Sequence, residues 1–223
     1  MKRIIMALLA VALVAGAALH YATRPAAAPT KDIQSVADTI AVQATSSVYR
    51  ISQSASQARF EVSELLYGKP KLVVGTTTQI AGDIAVEGGK IVIGAIKLNA
   101  RTLVTDSEKR NGAINHLILK TDDAANEFIS FAPRSSDLAG PVALGKPLAL
   151  SVSGDLTIAG VTKPATFTAT MTVTADRIMG TASTTVKRAD YGLKIPSLSF
   201  VADVGESVSV VANIVADRVA PAR

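Results

Sequence analysis

The sequence predicts an all-β fold: an antiparallel, up-and-down barrel of about eight strands with a short helical excursion, preceded by an apolar N-terminal helix. Three observations predict it. From Val48 onward, apolar and polar residues alternate with period two. The apolar positions are rich in Val and Ile and are interleaved with Thr, β-branched side chains that fit a pleated, half-buried surface. Only one long stretch of the body, "SEKRNGAINHLILKTDDAANEF", abandons the alternation.

The strands follow in order. In "VYRISQS" Tyr49 and Ile51 share a face against Arg50 and Ser52. In "RFEVSELL" Phe60 and Val62 alternate with Glu61 and Ser63. "IVIGAIKLNARTL" puts Val92, Ile96 and Leu98 opposite Lys97 and Asn99. "LALSVSGDLTI" carries Leu148, Leu150, Val152, Leu156 and Ile158 on one face. "ATFTATMTV" sets Phe167, Ala169, Met171 and Val173 against a row of threonines, and "GTASTTVKR" and "SVSVVANIVAD" close the series. Such alternation marks an antiparallel sheet with one wet face. Its edges are hidden best by closure into a barrel, and less completely in a sandwich, the second choice. Between Ile158 and Phe167, "AGVTKP" supplies a turn, with Gly160 tolerating positive φ and Pro164 fixing its own. The excursion places Ile114, Leu117 and Ile118 at helical spacing.

Ahead of the body, "MKRIIMALLAVALVAGAALHYATRPAAAPT" begins with two cations and an uncharged apolar run from Ile4 to Leu19. Extended to Ala22, and at about 1.5 Å per residue, the helix spans roughly 28 Å, close to the thickness of a bilayer core. Lys2 and Arg3 favour leaving the N-terminus in the cytoplasm, with the rest exported to a periplasmic or other extracytoplasmic space. Ala26-Ala27-Ala28 offers a cleavage site, but Pro29 after it is a poor context. Residues 1–22 are therefore read as a signal anchor or signal peptide, 23–47 as a Pro/Ala linker with a short helix or stalk near Ile33, Val36 and Ile40, and 48–219 as the barrel domain.

The formal charge of +5 is concentrated at the start, where Lys2, Arg3 and Arg24 meet no acid. The remainder is nearly neutral and has no basic stripe interleaved with aromatics, so nucleic acid is not an expected partner. Without Cys, thiolate chemistry and disulfides are excluded. "GPVALGKP" has phosphate-loop spacing, but Pro147 stands where Ser or Thr is needed, and a strand follows where a helix should. His116 is the one histidine of the domain and reads as a surface or capping residue. No nucleophile elbow, zinc motif or calcium loop occurs. No enzyme, metal or cofactor is expected. The interior candidates Ala169, Ala182, Thr184 and Ala212 are small and leave room for a ligand; a filled barrel is the plainer alternative.

Six stretches, in order, resemble the YceI-like family of lipocalin-like bacterial envelope proteins: "SQARFEVSELL", "IKLNARTLVTDSEKRNGAI", "NEFISF", "SGDLTIAGVTKPATF", "TVKRADYGLKIP" and "ESVSVVANIVA". The resemblance covers about residues 48–217. It implies a barrel with a hydrophobic cavity for a polyisoprenoid or isoprenoid quinone, and no catalytic residues. Phe60, Val62, Phe131, Leu156 and Phe167 fall on matching positions as wall residues. Ile96, Leu98 and Met171 join them from the alternation. Arg110 and Arg188 are candidates for a polar rim. Asp190 and Gly192 also match, and with Arg188 they read equally well as structural. The chain departs from the family where "RNGAINHL" shifts the His-Leu pair along and "TDDAANEF" replaces an aromatic-rich segment. The expected role is an envelope lipid carrier or sequestration protein, tethered to the membrane by residues 4–22 or released, and compatible with a homodimer. The alternative is a tethered module with a filled barrel that docks on an envelope or electron-transfer partner.

Overall fold

A computed structural model describes residues 20–21, 24–43, 45–138, 140–195 and 201–220. The expected apolar helix falls almost wholly on residues 1–19, outside the described residues. Among the described residues no helix is long and apolar enough to cross a membrane.

The body is one antiparallel, strongly curled sheet with few helices. After a single-turn helix α1 (Ile33–Val36) come β1 (Ser47–Ile51), β2 (Gln57–Leu66), β3 (Lys69–Thr77), β4 (Ile80–Ala81), β5 (Asp83–Glu87), β6 (Lys90–Ile93) and β7 (Ile96–Asn99). The excursion follows. Then come the long strands β8 (Phe128–Leu138), β9 (Pro147–Ile158), β10 (Val161–Val173) and β11 (Arg177–Lys187), the two-residue β12 (Val201–Ala202), and β13 (Ser207–Val219). The order across the sheet is β4-β7-β8-β9-β10-β11-β13-β1-β5-β6, and β2 carries β3 and β12 beside the first half of β13. The expected count was about eight; thirteen strands are seen among the described residues. The excess has physical causes. β13 is long enough to pair with β2 through Ser209–Asn213 and with β1 through Ala216–Val219, so a side flap of β1, β5 and β6 grows from its far end. β3 and β4 are parts of one run interrupted at Thr78–Gln79.

The β9–β10 turn is tighter than the sequence suggests. Ile158 pairs directly with Val161, so the turn is Ala159–Gly160 alone, with φ of 48° and 76°. Two successive positive φ values make a primed turn, whose twist matches that of the strands. Pro164 lies inside β10 opposite Asp155, where β10 has no β11 residue beside it, since that pairing starts at Thr168. A residue without an N–H is tolerated there.

Inner residues come from the predicted faces. Leu150, Val152, Leu156, Phe167, Ala169, Met171 and Val173 are all buried. At one end of the sheet Tyr49, Ile51, Val173, Ile178 and Ala216 are at most 2 % exposed. The Tyr49 hydroxyl donates to the Thr174 carbonyl at 2.9 Å, which satisfies the one polar atom of that group's side chains. At the other end lie the Ala159–Gly160 turn and the excursion. The excursion is helical, as expected, but broken: a 3₁₀ turn (Ala100–Thr102), α2 (Glu108–Ala113), a π turn (Ile114–Ile118) and a second 3₁₀ turn (Ala124–Asn126). Ser107 caps α2 by accepting from the Arg110 N–H.

Candidate functional site

The inner wall carries a transverse row of small side chains. Ala169 pairs with Ala182, Ala182 with Ala212, and Ala212 with Ala58, on four adjacent strands. Residues paired across neighbouring strands share a face, so these alanines form one belt around the inside. Three of the four small residues singled out from sequence belong to it. The fourth, Thr184, sits one inner position along, opposite Val210, which in turn pairs with Phe60. Ala58 and Ala169 are buried, whereas Phe60, Ala182, Thr184, Val210 and Ala212 are half-buried. The alanine belt is therefore where the sealed core passes into a half-buried stretch of the inner wall.

The candidate wall residues fall into two groups. Ile96 pairs with Phe131, and Phe131 with Leu156. The Phe131 and Phe167 rings meet edge to face at 4.8 Å. Leu98 lies beside them, opposite Ile129. The second group is Phe60 and Val62, facing Gly75 and Val73. A Cβ on Gly75 would lie 2.1 Å from the Phe60 ring, so glycine there is what lets the ring lie flat on the wall. Met171 belongs to the sealed region, between Leu148 and Gly180. Two surface concavities, of about 490 and 420 Å³, are lined by none of these residues.

Both candidate rim arginines already have partners. Arg110 binds Glu64 at 2.9 Å and also pairs with Asp106, which Lys71 reaches at 2.5 Å. The Lys71 hydrogen bond, with Arg110 nearby, holds the Asp106 carboxyl below the ordinary carboxylate range. Glu64 is a buried carboxylate next along the same strand face as Val62, so this network stands at the end of the Phe60 wall. Arg188 spans the turn before Gly192 and the Gly205–Glu206 loop. It donates to the Gly205 carbonyl at 3.2 Å and the Leu193 carbonyl at 3.4 Å, and lies 3.3 Å from Glu206.

The periodicity gave no sign of a second polar centre at the excursion. Glu127 is fully buried. It takes hydrogen bonds from Asn99 at 2.9 Å, from the Thr30 N–H at 2.8 Å and from the Thr30 hydroxyl at 2.6 Å, and pairs with Arg101 at 3.1 Å. Arg101 also donates to the carbonyls of Thr121 and Ala28. Burial opposes ionisation of Glu127, but the Thr30, Asn99 and Arg101 contacts outweigh it and keep the carboxyl below its usual range. His116, expected at the surface or as a cap, is buried instead. Its Nδ1 lies 2.9 Å from Asp122 and its Nε2 3.1 Å from the Arg24 carbonyl. Tyr21 and Arg24 also donate to Asp122, at 2.5 and 2.8 Å. Burial would raise the Asp122 carboxyl; the bonds from Tyr21, His116 and Arg24 together hold it low. The stretch read as linker thus lies along the excursion, tied by named contacts. No buried side-chain nitrogen or oxygen among the described residues lacks a partner, and no cluster of metal-ligating side chains occurs among them.

Comparison with known proteins agrees with this architecture. A polyisoprenoid binding domain from Saccharophagus degradans, implicated in plant cell wall breakdown, superposes with a TM-score of 0.61 at 18 % identity, covering 77 % of this chain and 98 % of its own. Burkholderia cenocepacia BcnA gives a TM-score of 0.57 at 16 % identity, covering 74 % of this chain and 98 % of its own. At these identities the likeness is one of fold. No match was found among curated proteins. Residues 49–216 match the YceI-like domain, from within β1 to within β13. The chain belongs to the YceI-like family.

Proposed function

We propose that this protein binds a long apolar lipid of the isoprenoid class in the lumen beside the alanine belt, as an exported carrier or sequestration protein held at a membrane by residues 4–22. The observation that carries the reading is the belt Ala58–Ala212–Ala182–Ala169 with half-buried Phe60, Thr184 and Val210 next to it. A wall of alanine and valine methyls, one threonine and one aromatic ring offers broad apolar contact to hydrocarbon. At about 0.8 kcal/mol per buried CH₂, one five-carbon unit contributes roughly 3–4 kcal/mol before ordering costs. The similar Saccharophagus degradans domain is a polyisoprenoid-binding one, and membership of a family of binding proteins supports a non-enzymatic role. Ile96, Leu98, Phe131, Leu156, Phe167, Phe60 and Val62 form the wall, with Met171 at its sealed limit. Arg110 and Arg188 stand as head-group contacts only if a ligand competes with Glu64 or Glu206 for them.

The test is native mass spectrometry and organic extraction of a chain starting at His20, which keeps the contacts of Tyr21 to Thr30, purified without detergent. A stoichiometric apolar adduct, or reloading with isoprenoid alcohols or quinones, is the expected result. Ala182→Phe, which fills the belt, should lose it. A clean apo mass together with failure to reload sinks the reading and leaves the docking module.

A further inference from the structure

We propose that the excursion end of the sheet is a membrane-facing surface, held against a lipid bilayer with the β2–β3 hairpin tip at the interface. The proposal rests on the reading that the apolar run enters a membrane, and adds which face of the domain meets it.

The first observation is the absence of slack. Contacts follow one another from Tyr21 and Arg24 on Asp122, through the Arg24 and Pro25 carbonyls on His116, to Ala28 and Thr30 on the Arg101–Glu127 pair. Beyond them Ile33 is fully buried, and Lys97 donates to the Val36 carbonyl at 2.8 Å. Leu19, the end of the uninterrupted run, is two residues from Tyr21, a distance of at most about 7 Å. A bilayer that receives the run therefore begins beside Asp122 and His116.

The second observation is what the same end exposes. The β2–β3 tip belongs to it, because Glu64 near the end of β2 binds Arg110 and Lys71 near the start of β3 binds Asp106, both in the excursion. Tyr67 at this tip is 75 % exposed, and Leu72 and Val104 are 58 % and 54 % exposed. Thr76 pairs with Val104, which sets Val104 on the outer face that Leu72 and Val74 share. Lys69 stands next to the tip. An aromatic ring, aliphatic side chains and lysines at one end match the residue types that settle at a membrane–water interface. The half-buried lumen wall of Phe60 and Val62 runs toward this end too, so a lipid leaving the bilayer meets the wall without crossing water.

The chain contains no Trp, so one introduced Trp is a sole reporter. Full-length Tyr67→Trp, Leu72→Trp and Leu144→Trp are each reconstituted into phosphatidylcholine vesicles with acyl-chain-brominated lipid. Leu144 is 62 % exposed but lies just before β9, whose 12 residues separate it from the excursion end by about 40 Å. Trp at 67 and 72 should be quenched at least twofold and blue-shifted, and Trp at 144 unaffected. Equal quenching at all three, or none at 67 and 72 while the protein floats with vesicles, overturns the proposed orientation. Failure to float overturns it at its premise. None of these readouts depends on whether the lumen holds a lipid, so they leave the ligand reading to its own test.

Discussion

The two ends of the curled sheet are closed by different physics. One is closed by hydrocarbon: Tyr49, Ile51, Val173, Ile178 and Ala216 pack with almost no exposure and one satisfied hydroxyl. The other is closed by charge: Arg101 with Glu127, Arg110 with Glu64 and Asp106, and His116 with Asp122. Apolar closure is indifferent to pH. Closure by a buried ion pair such as Arg101 with Glu127 holds only while both partners are present and ionised, because desolvating a charge costs as much as the pairing returns. The first is suited to a permanent floor, the second to a rim whose strength depends on conditions.

Removing one partner of the buried pair is the strongest way to sharpen this contrast. Arg101→Met should destabilise the domain by about 3–5 kcal/mol in urea denaturation, and Arg101→Met with Glu127→Leu should recover only part of that loss, because Asn99 and Thr30 then lose their acceptor. A single-variant loss below about 1 kcal/mol would mean that the charges hold nothing. At the hydrocarbon end, Ile178→Ala should cost about 2–4 kcal/mol, by the same amount at pH 4 and pH 7. Val210→Ala, in the half-open wall, should cost under about 1 kcal/mol; equal losses at the two positions would erase the difference between floor and lumen.

The third contrast is in pH. Glu127 and Asp122 have folded pKa values below their ordinary ones. Their stabilisation is complete above the unfolded carboxyl range, about pH 4, and is lost as pH falls through the depressed folded values. Stability measured from pH 6 downward should therefore fall in the wild type and fall less steeply in Glu127→Gln. Parallel curves would rule out Glu127 as a source of the decline. The smallest expected change in stability, within about 1 kcal/mol, is that of Ala182→Phe, because its ring enters space already reached by solvent. Binding of an isoprenoid alcohol should nevertheless weaken at least tenfold, as read by fluorescence competition or retained mass.

Most of the wall was legible because period-two alternation fixes which side of a sheet a residue faces. Phe60, Phe167 and the alanines at 169, 182 and 212 follow from that one rule, and Phe131 from the family resemblance. Alternation says nothing about lateral register, so the alignment of Ala169, Ala182, Ala212 and Ala58 into a single belt appeared only with the strand pairing. Strand number exceeds the expectation because β13 changes its neighbour from β2 to β1 along its length without changing its pattern. His116 is buried, against expectation, for a related reason. A helical spacing shows which residues share a face, and the partner burying that face, residues 24–25, lies about 90 positions earlier in a stretch whose Pro/Ala composition reads as linker.

That stretch makes proteolytic processing a chemical edit as well as a release. Cutting after Ala28 would delete the carbonyl that accepts from Arg101 and the groups that cover Asp122 and His116. It would also place a new cationic imino terminus at Pro29, one residue from the Thr30 N–H that Glu127 binds. The trimmed and untrimmed chains would share every strand and differ in the charge beside one buried carboxylate, two molecules with the same fold and different rims.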